Sequence, residues 1–338
     1  MAAEPNAARL LEPIRALHDS IRWRVLECCA AQNPEQLSAP AGDTAADTIY
    51  AIDQVGEQAL VEGLSAIAQE EPLWLMAEGI AEQGLALPRG AKETDCRWRL
   101  LVDPIDGTRG LMYQKRSAWI LTGVAPNRGA ATRLSDIVLA VQTEIPLLKQ
   151  HLSDQLWASR GAGAEARRID RLSGRSEPLQ LHPSRAQDIA HGFATVVRFF
   201  PGARDVLAGI DDELAHALVP PVAGKAACFE DQYLSTGGQL YELMAGHDRF
   251  IADLRPLLQV VLAERGLPRG LCCHPYDLAA KLIAEELGVQ LTDAAGRPLD
   301  APFTIDAEVA WVGYANAGLR RSIEPVLQAA LASRGLKP

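Results

Sequence analysis

The sequence predicts an α+β half followed by an α/β half, arranged as two packed lobes with a cleft between them. Three observations lead there. Long amphipathic helical patterns open the chain, strand-like runs bunch from about residue 73 to residue 200, and strands then alternate with helices. A length of 338 residues suits one large or two mid-sized units. The division is expected near Asp188–Gly192, giving an N-terminal lobe over 1–190 and a C-terminal lobe over 191–338, although no Gly/Ser linker marks it.

Leu10, Ile14, Leu17, Ile21, Val25 and Cys28 recur every three or four residues, the spacing of an amphipathic helix. A loop rich in Pro, Ala, Ser and Gly follows from Asn33 to about Thr44. A second helix is expected from about Ala46 to Glu70, with Ile52, Val55, Leu60, Leu64 and Ile67 as its buried stripe. Asp53 and Glu57 lie one turn apart, off that stripe. Pro72 ends the helix, and Leu73–Met76 reads as a short strand arriving at Glu78. Gly84–Thr94 reads as a connecting loop. Leu100 to Val102 reads as a buried strand. Further strand-like runs stand at Ser117–Ala125, Asp136–Thr143, Gln155–Ser159, Glu177–Leu181 and Phe193–Phe200, with turn clusters between them that imply an antiparallel or mixed sheet. Helices are expected at Asp205–Leu218 and Gly237–Ala245, then a strand at Arg249–Leu254. A compact helix at Tyr276–Leu287, a strand at Val309–Tyr314 and a helix at Leu319–Leu331 close the chain.

Composition excludes several classes. With 48% hydrophobic and 22% charged residues, the chain is that of an ordinary soluble globular protein. A net charge of −10 and a pI near 5.3 argue against a nucleic-acid polymer or an anionic membrane as partner. No apolar run reaches the roughly 20 residues that span a bilayer. Met-Ala-Ala-Glu-Pro lacks the basic-then-apolar pattern of a signal peptide, so a cytoplasmic location is expected. The six cysteines form no CxxC pair, and no histidine pair has zinc spacing, so all six are expected to be small buried apolar residues.

The chemistry concentrates in Asp103-Pro104-Ile105-Asp106-Gly107-Thr108. Two carboxylates at a strand end suit a hard dication such as Mg²⁺, which takes oxygen ligands and leaves positions for water and phosphate oxygens. Gly107 lets the backbone approach a phosphate, and Thr108 offers a hydroxyl to orient a water. Glu78, at the end of the preceding strand, and Asp277, at a helix start, are the carboxylates that would extend the set. Taken singly, Asp277 reads as a helix-start acid and Asp53 as a solvated helix face.

Together these residues resemble the inositol monophosphatase family of Mg²⁺-dependent, lithium-sensitive phosphomonoesterases. The family's Asp-Pro-Ile-Asp-Gly-Thr stands unbroken at Asp103–Thr108. Its Gly-Glu-Glu appears as Ala77-Glu78-Gly79, its Trp-Asp as Tyr276-Asp277 before a helix closed by Gly288, and its helix-two acids as Asp47, Asp53 and Glu57. The run Gln155–Ala164 is similar to its strand and Gly-rich turn. The resemblance implies a layered α-β-α-β-α sandwich with the active site in the cleft between the lobes, two or three Mg²⁺ per site, and a homodimer. It places the first Mg²⁺ on Glu78, Asp103 and the carbonyl of Ile105, and the second on Asp103, Asp106 and Asp277. Asp53, Thr108 and Glu78 become the catalytic set, with Thr108 and Asp53 activating a water, and the amides of Gly107 and Thr108 hold the phosphate. The implied reaction is hydrolysis of a small phosphate monoester, such as an inositol or sugar phosphate, by a metal-activated water. A bisphosphorylated nucleotide or a sugar bisphosphate is an alternative substrate, and a catalytically weak binding or regulatory protein is an alternative role.

Departures from the family pattern concern the substrate. Gly79 stands for the second glutamate, and Gly270, beside Arg269, stands seven residues before Asp277, where inositol-specific members have a glutamate. The family's lysine before helix two has no match near Gly42, and extra length falls around Gly84–Thr94 and Ala203–Lys225. Arg109 is close enough to Thr108 to meet a second phosphate or an acidic group at the cleft mouth, whereas Lys115 and Arg116 read as surface charges. Ser235 and Thr236, before a Gly-Gly helix start, are further substrate candidates. Asp253, at a strand end, is expected to be structural.

Overall fold

A computed structural model describes residues 7–43, 48–80 and 83–337, with the backbone alone at 42, 43, 48 and 49. Asp47 lies outside the described residues. In chain order the elements are α1 (Ala8–Ala31), α2 (Pro34–Leu37), β1 (Pro40–Asp43), β2 (Thr48–Tyr50), α3 (Ala51–Ile67), β3 (Leu73–Ala77), β4 (Leu85–Leu87), β5 (Trp98–Asp106), α4 (Thr108–Met112), β6 (Ala118–Pro126), β7 (Leu139–Ile145), β8 (Leu152–Ser159), β9 (Ala164–Asp170) and β10 (Ser176–Pro178). The chain continues with β11 (Phe193–Val196), α5 (Arg204–Leu218), α6 (Thr236–Met244), β12 (Asp248–Asp253), α7 (Gln259–Glu264), α8 (Lys281–Glu286), β13 (Gln290–Asp293), β14 (Trp311–Tyr314) and α9 (Ala317–Ser333).

Five layers result. α1 and α3 pack together on one face of an eight-stranded sheet, ordered β10-β9-β8-β7-β6-β5-β3-β4. α6 and α8 lie between that sheet and a four-stranded one, ordered β11-β12-β14-β13, whose far face carries α5 and α9. This is the α-β-α-β-α sandwich expected. Strands buried on both faces need apolar runs rather than alternation, and every residue of β5 is buried accordingly. One core fills the space under α1 and α3, with Ile21, Leu60, Trp98 and Leu100 at its centre. The other joins the remaining layers through Leu121, Leu240, Ile283 and Trp311.

The large sheet is mixed: among its described pairs only β3 and β5 run parallel. Parallel neighbours place the C-terminal ends of both strands at one edge, so Glu78 and Asp103 emerge side by side; Glu78 N–H donates to the Val102 carbonyl at 3.3 Å.

Several boundaries differ from expectation. α3 starts at Ala51 rather than near Ala46, because Asp53 accepts the Tyr50 N–H at 2.8 Å and caps the first turn. The Gly84–Thr94 loop contains β4, a three-residue edge strand pairing with β3. Strand β9, with charged residues on half-buried positions, went unread, as did β13 and α7. The run at Phe193–Phe200 forms a strand only to Val196, and it pairs in parallel with β12 in the smaller sheet. The helix expected at Tyr276–Leu287 is two pieces, a 3-10 turn at Tyr276–Leu278 and then α8. All six cysteines are free thiols; four are buried and Cys28 and Cys228 half-buried.

Candidate active site

A strand of regular pleat turns residues three apart to opposite faces. Asp103 and Asp106 escape that rule. Asp103 pairs with Leu121 of β6 and Asp106 with Trp119, so three steps along β5 match two along β6. The extra residue is a bulge, carried by the Pro104-Ile105 stretch where proline costs no ladder bond. It returns both carboxylates to one side. There the 3-10 turn at Tyr276–Leu278 brings Asp277, and one carboxylate oxygen from each of Asp103, Asp106 and Asp277 lies within 4.8 Å of the other two.

Each aspartate is held from below. The Ile105 N–H donates to Asp103 Oδ1 at 3.0 Å, and the His274 N–H to Asp277 Oδ2 at 2.6 Å. Asp106 Oδ2 accepts from Ser235 Oγ at 2.9 Å and from the Gly237 N–H at 2.5 Å, so the N-terminus of α6 points at it. That approach requires glycine: a Cβ at 237 would sit 2.6 Å from Leu121 Cδ2 and 3.0 Å from Asp106 Oδ2. Ser235 also caps α6, accepting the Gly238 N–H at 2.8 Å.

Three carboxylates this close, two of them buried and Asp277 half-buried, cannot all ionise cheaply. Burial first, then Glu78, Asp106 and Asp277, pushes Asp103 well above the usual carboxylate range. Burial and then Asp106 do the same to Asp277. Asp106 is raised by burial to about 6, with the Gly237, Ser235 and Thr236 donors and then Arg255 opposing the rise. An all-oxygen donor set carrying this much repelled negative charge fits a hard dication. Glu78 and Ile105 line the same cleft as the three aspartates. Glu78 Oε1 lies 3.4 Å from the Tyr276 hydroxyl, whose ring stacks on His274 at 5.2 Å.

Thr108 opens α4 at the cleft edge. Its hydroxyl lies 2.7 Å from Asp53 Oδ1 and 2.8 Å from the Ile105 carbonyl. Gly107 and Arg109 flank it and face the cleft. Ser235 and Thr236 also line the cleft, but both are buried, with the Ser235 hydroxyl turned to Asp106 and the Thr236 hydroxyl 3.8 Å from Cys273 Sγ. Arg116 is a surface charge paired with Asp231 and Glu242. Asp253 is fully buried and ion-paired with Arg255, as a structural residue would be. The sixteen residues between Asp253 and Gly270 form α7 and its flanks. Gly270, seven residues before Asp277, lies in a loop.

Sequence patterns gave no warning of Phe199, Phe200, Arg255 and Tyr50, which complete the cleft wall. The single available signal was Arg255 following a strand-end aspartate, a pattern too short to separate from chance.

No family model matches the sequence, and no curated protein does. Solved structures match across nearly the whole chain. The fructose-1,6-bisphosphatase of Leishmania major is 14% identical, with 98% of this chain and 96% of that chain covered at a TM-score of 0.69. The extragenic suppressor protein SuhB of Bartonella henselae is 15% identical, covering 95% and 98% at 0.64. A protein described as an inositol monophosphatase–fructose-1,6-bisphosphatase is 14% identical, covering 93% and 98% at 0.64. The chain has the fold that these structures share.

Proposed function

We propose that the protein is a metal-dependent phosphatase that hydrolyses a small phosphate monoester with Mg²⁺ as cofactor. The observation that carries this is the trio Asp103, Asp106 and Asp277, each with a carboxylate oxygen within 4.8 Å of the others, beside the Thr108–Asp53 pair. Asp103, Asp106, Asp277, Glu78 and the Ile105 carbonyl would hold the metal ions. When bound, these supply a nucleophilic water at neutral pH and neutralise charge on the phosphoryl oxygens. The protein's own groups do the rest. Asp53 orients the Thr108 hydroxyl and draws a proton from the attacking water through it. Amide groups of Gly107 and Thr108 receive phosphate oxygens. Ser235 and Gly237 fix the Asp106 carboxylate so that its free oxygen stays directed into the cleft. With the activity go a small phosphorylated metabolite as partner and a homodimer, which sedimentation would check.

Phosphate release from a panel of monoesters, with Mg²⁺ and with chelator, tests the proposal. Release should require Mg²⁺, and Asp106→Asn should lose it while keeping the native circular dichroism spectrum. Near-normal turnover by that variant, or no release from any ester, would overturn the assignment.

A further inference from the structure

The floor of the cleft is acidic, but its rim is not. Arg255 is 8% exposed and faces the cleft, while its partner Asp253 is fully buried behind it and does not. Its Nε donates to Asp253 Oδ1 at 2.8 Å, Nη2 to Asp253 Oδ2 at 2.5 Å and Nη1 to the Leu271 carbonyl at 3.0 Å. A guanidinium has five N–H groups, so each Nη keeps a second hydrogen beyond these bonds. The carbon of the Arg255 guanidinium lies 4.5 Å from the Phe199 ring centre and 5.4 Å from that of Phe200. From another element, the Arg109 guanidinium reaches the same Phe200 ring at 5.2 Å, with Tyr50 at 5.6 Å. Phe200 thus has an arginine of each half of the chain against it.

Aromatic flanks keep water from the guanidinium faces, and a poorly hydrated cation prefers an anionic acceptor to a hydroxyl. A polyol would gain little from this rim. We propose that the substrate bears, besides the scissile phosphate, a second anionic group, a carboxylate or a phosphate, received by Arg109 and Arg255 beside Phe200. This rests on the phosphatase activity above and adds the class of ester. Arg109 and Arg255 become the residues that set specificity.

Three probes test it: glycerol 3-phosphate, 3-phosphoglycerate, in which a carboxylate replaces the hydroxymethyl group, and propane-1,3-diol bisphosphate. At least one of the two acids should exceed glycerol 3-phosphate in kcat/KM by about tenfold or more, the scale of a charge-assisted bond. Arg109→Gln should cut that ratio by about the same factor, as should Arg255→Gln if it folds; where it does not, Arg109→Gln decides alone. Which acid responds tells carboxylate from phosphate. Calorimetry with Ca²⁺ in place of Mg²⁺ reads affinity apart from turnover. Acids that bind more tightly but are not hydrolysed would leave the anion subsite standing and remove the phosphatase activity. Hydrolysis of all three esters without preference, no tighter binding of either acid, or a ratio unmoved in folded Arg109→Gln would overturn the inference.

Discussion

The Thr108 hydroxyl stands 2.7 Å from Asp53 Oδ1, joining the start of α4 to the first turn of α3 across 55 residues of sequence. Asp53 is fixed for that contact, since its other oxygen holds the Tyr50 N–H at 2.8 Å. Thr108→Val removes the hydroxyl and keeps the shape. Its kcat should fall by about a hundredfold, the size of a lost proton-transfer partner, while Thr108→Ser retains most activity. Steady-state kinetics on both variants, with melting curves as control, checks this. Equal loss in both would mean that the contact only braces the fold.

Metal and protons compete for the aspartate trio. Asp106 is raised from 3.8 to about 6, and Asp103 and Asp277 are also raised well above the usual carboxylate range, with burial the leading cause for each. A raised carboxylate binds its proton more tightly in the folded chain than in the unfolded one. The metal-free protein therefore loses this contribution to stability as pH rises from about 4 through 6 and beyond. A dication restores it by pairing with the ionised forms. Mg²⁺ should raise the Tm more at pH 7.5 than at pH 5.5, and an equal shift at both would count against the trio as the binding site.

His18 works in the opposite sense. It is fully buried in α1 between Thr143 at 3.0 Å and Thr122 at 2.8 Å. Burial, then Arg22, lowers it from 6.5 to about 3. The folded chain keeps it neutral while the unfolded chain protonates below 6.5. Stability is complete above that pH and drains at about 1.4 kcal/mol per pH unit as pH falls towards 3. His18→Gln keeps a hydrogen-bonding group and should flatten the acid limb of a Tm-versus-pH curve measured with chelator present. An unchanged slope would place the acid sensitivity elsewhere.

Gly79 explains one departure from the family pattern. It sits at φ +72, and a Cβ there would overlap the Glu57 carboxylate. Glu57 is raised to about 7 by burial and by Asp53. Gly79→Ala should destabilise the protein by about 1–2 kcal/mol from the left-handed backbone alone, and more from the overlap. Glu57→Ala in the same chain should recover the second part but not the first. A denaturation cycle over the four proteins reads the coupling, and strict additivity would deny the contact.

The sequence was legible where one physical signal dominated. α1 and α3 show through apolar spacing, and β5 shows through its apolar run Leu100–Val102, as a strand buried on both faces requires. The closeness of Asp103, Asp106 and Asp277 was legible only through the ordered motifs of the resemblance, since Asp277 taken singly reads as a helix-start acid. Short elements did not show. β4 has three residues between a glycine and a proline, and the half-buried charges of β9 look like loop polarity. The roles of Ser235 and Arg255 were hidden for a different reason. Ser235 meets Asp106 across 129 residues, and Arg255 meets Phe200 where the segments after the parallel neighbours β11 and β12 leave the same sheet. No local pattern encodes such meetings.

The bulge between Asp103 and Asp106 makes chain length at that point a ligand-setting quantity. Point substitutions at Pro104 or Ile105 would loosen the trio by degrees. Deleting either residue would remove the bulge, leaving the two aspartates two apart on a regular pleat and still on one face, but without the turn that offers the Ile105 N–H to Asp103 and the Ile105 carbonyl to Thr108. This stretch should therefore accept changes of spelling but none of count, and random insertions and deletions scored for activity should leave a sharp gap over these few positions.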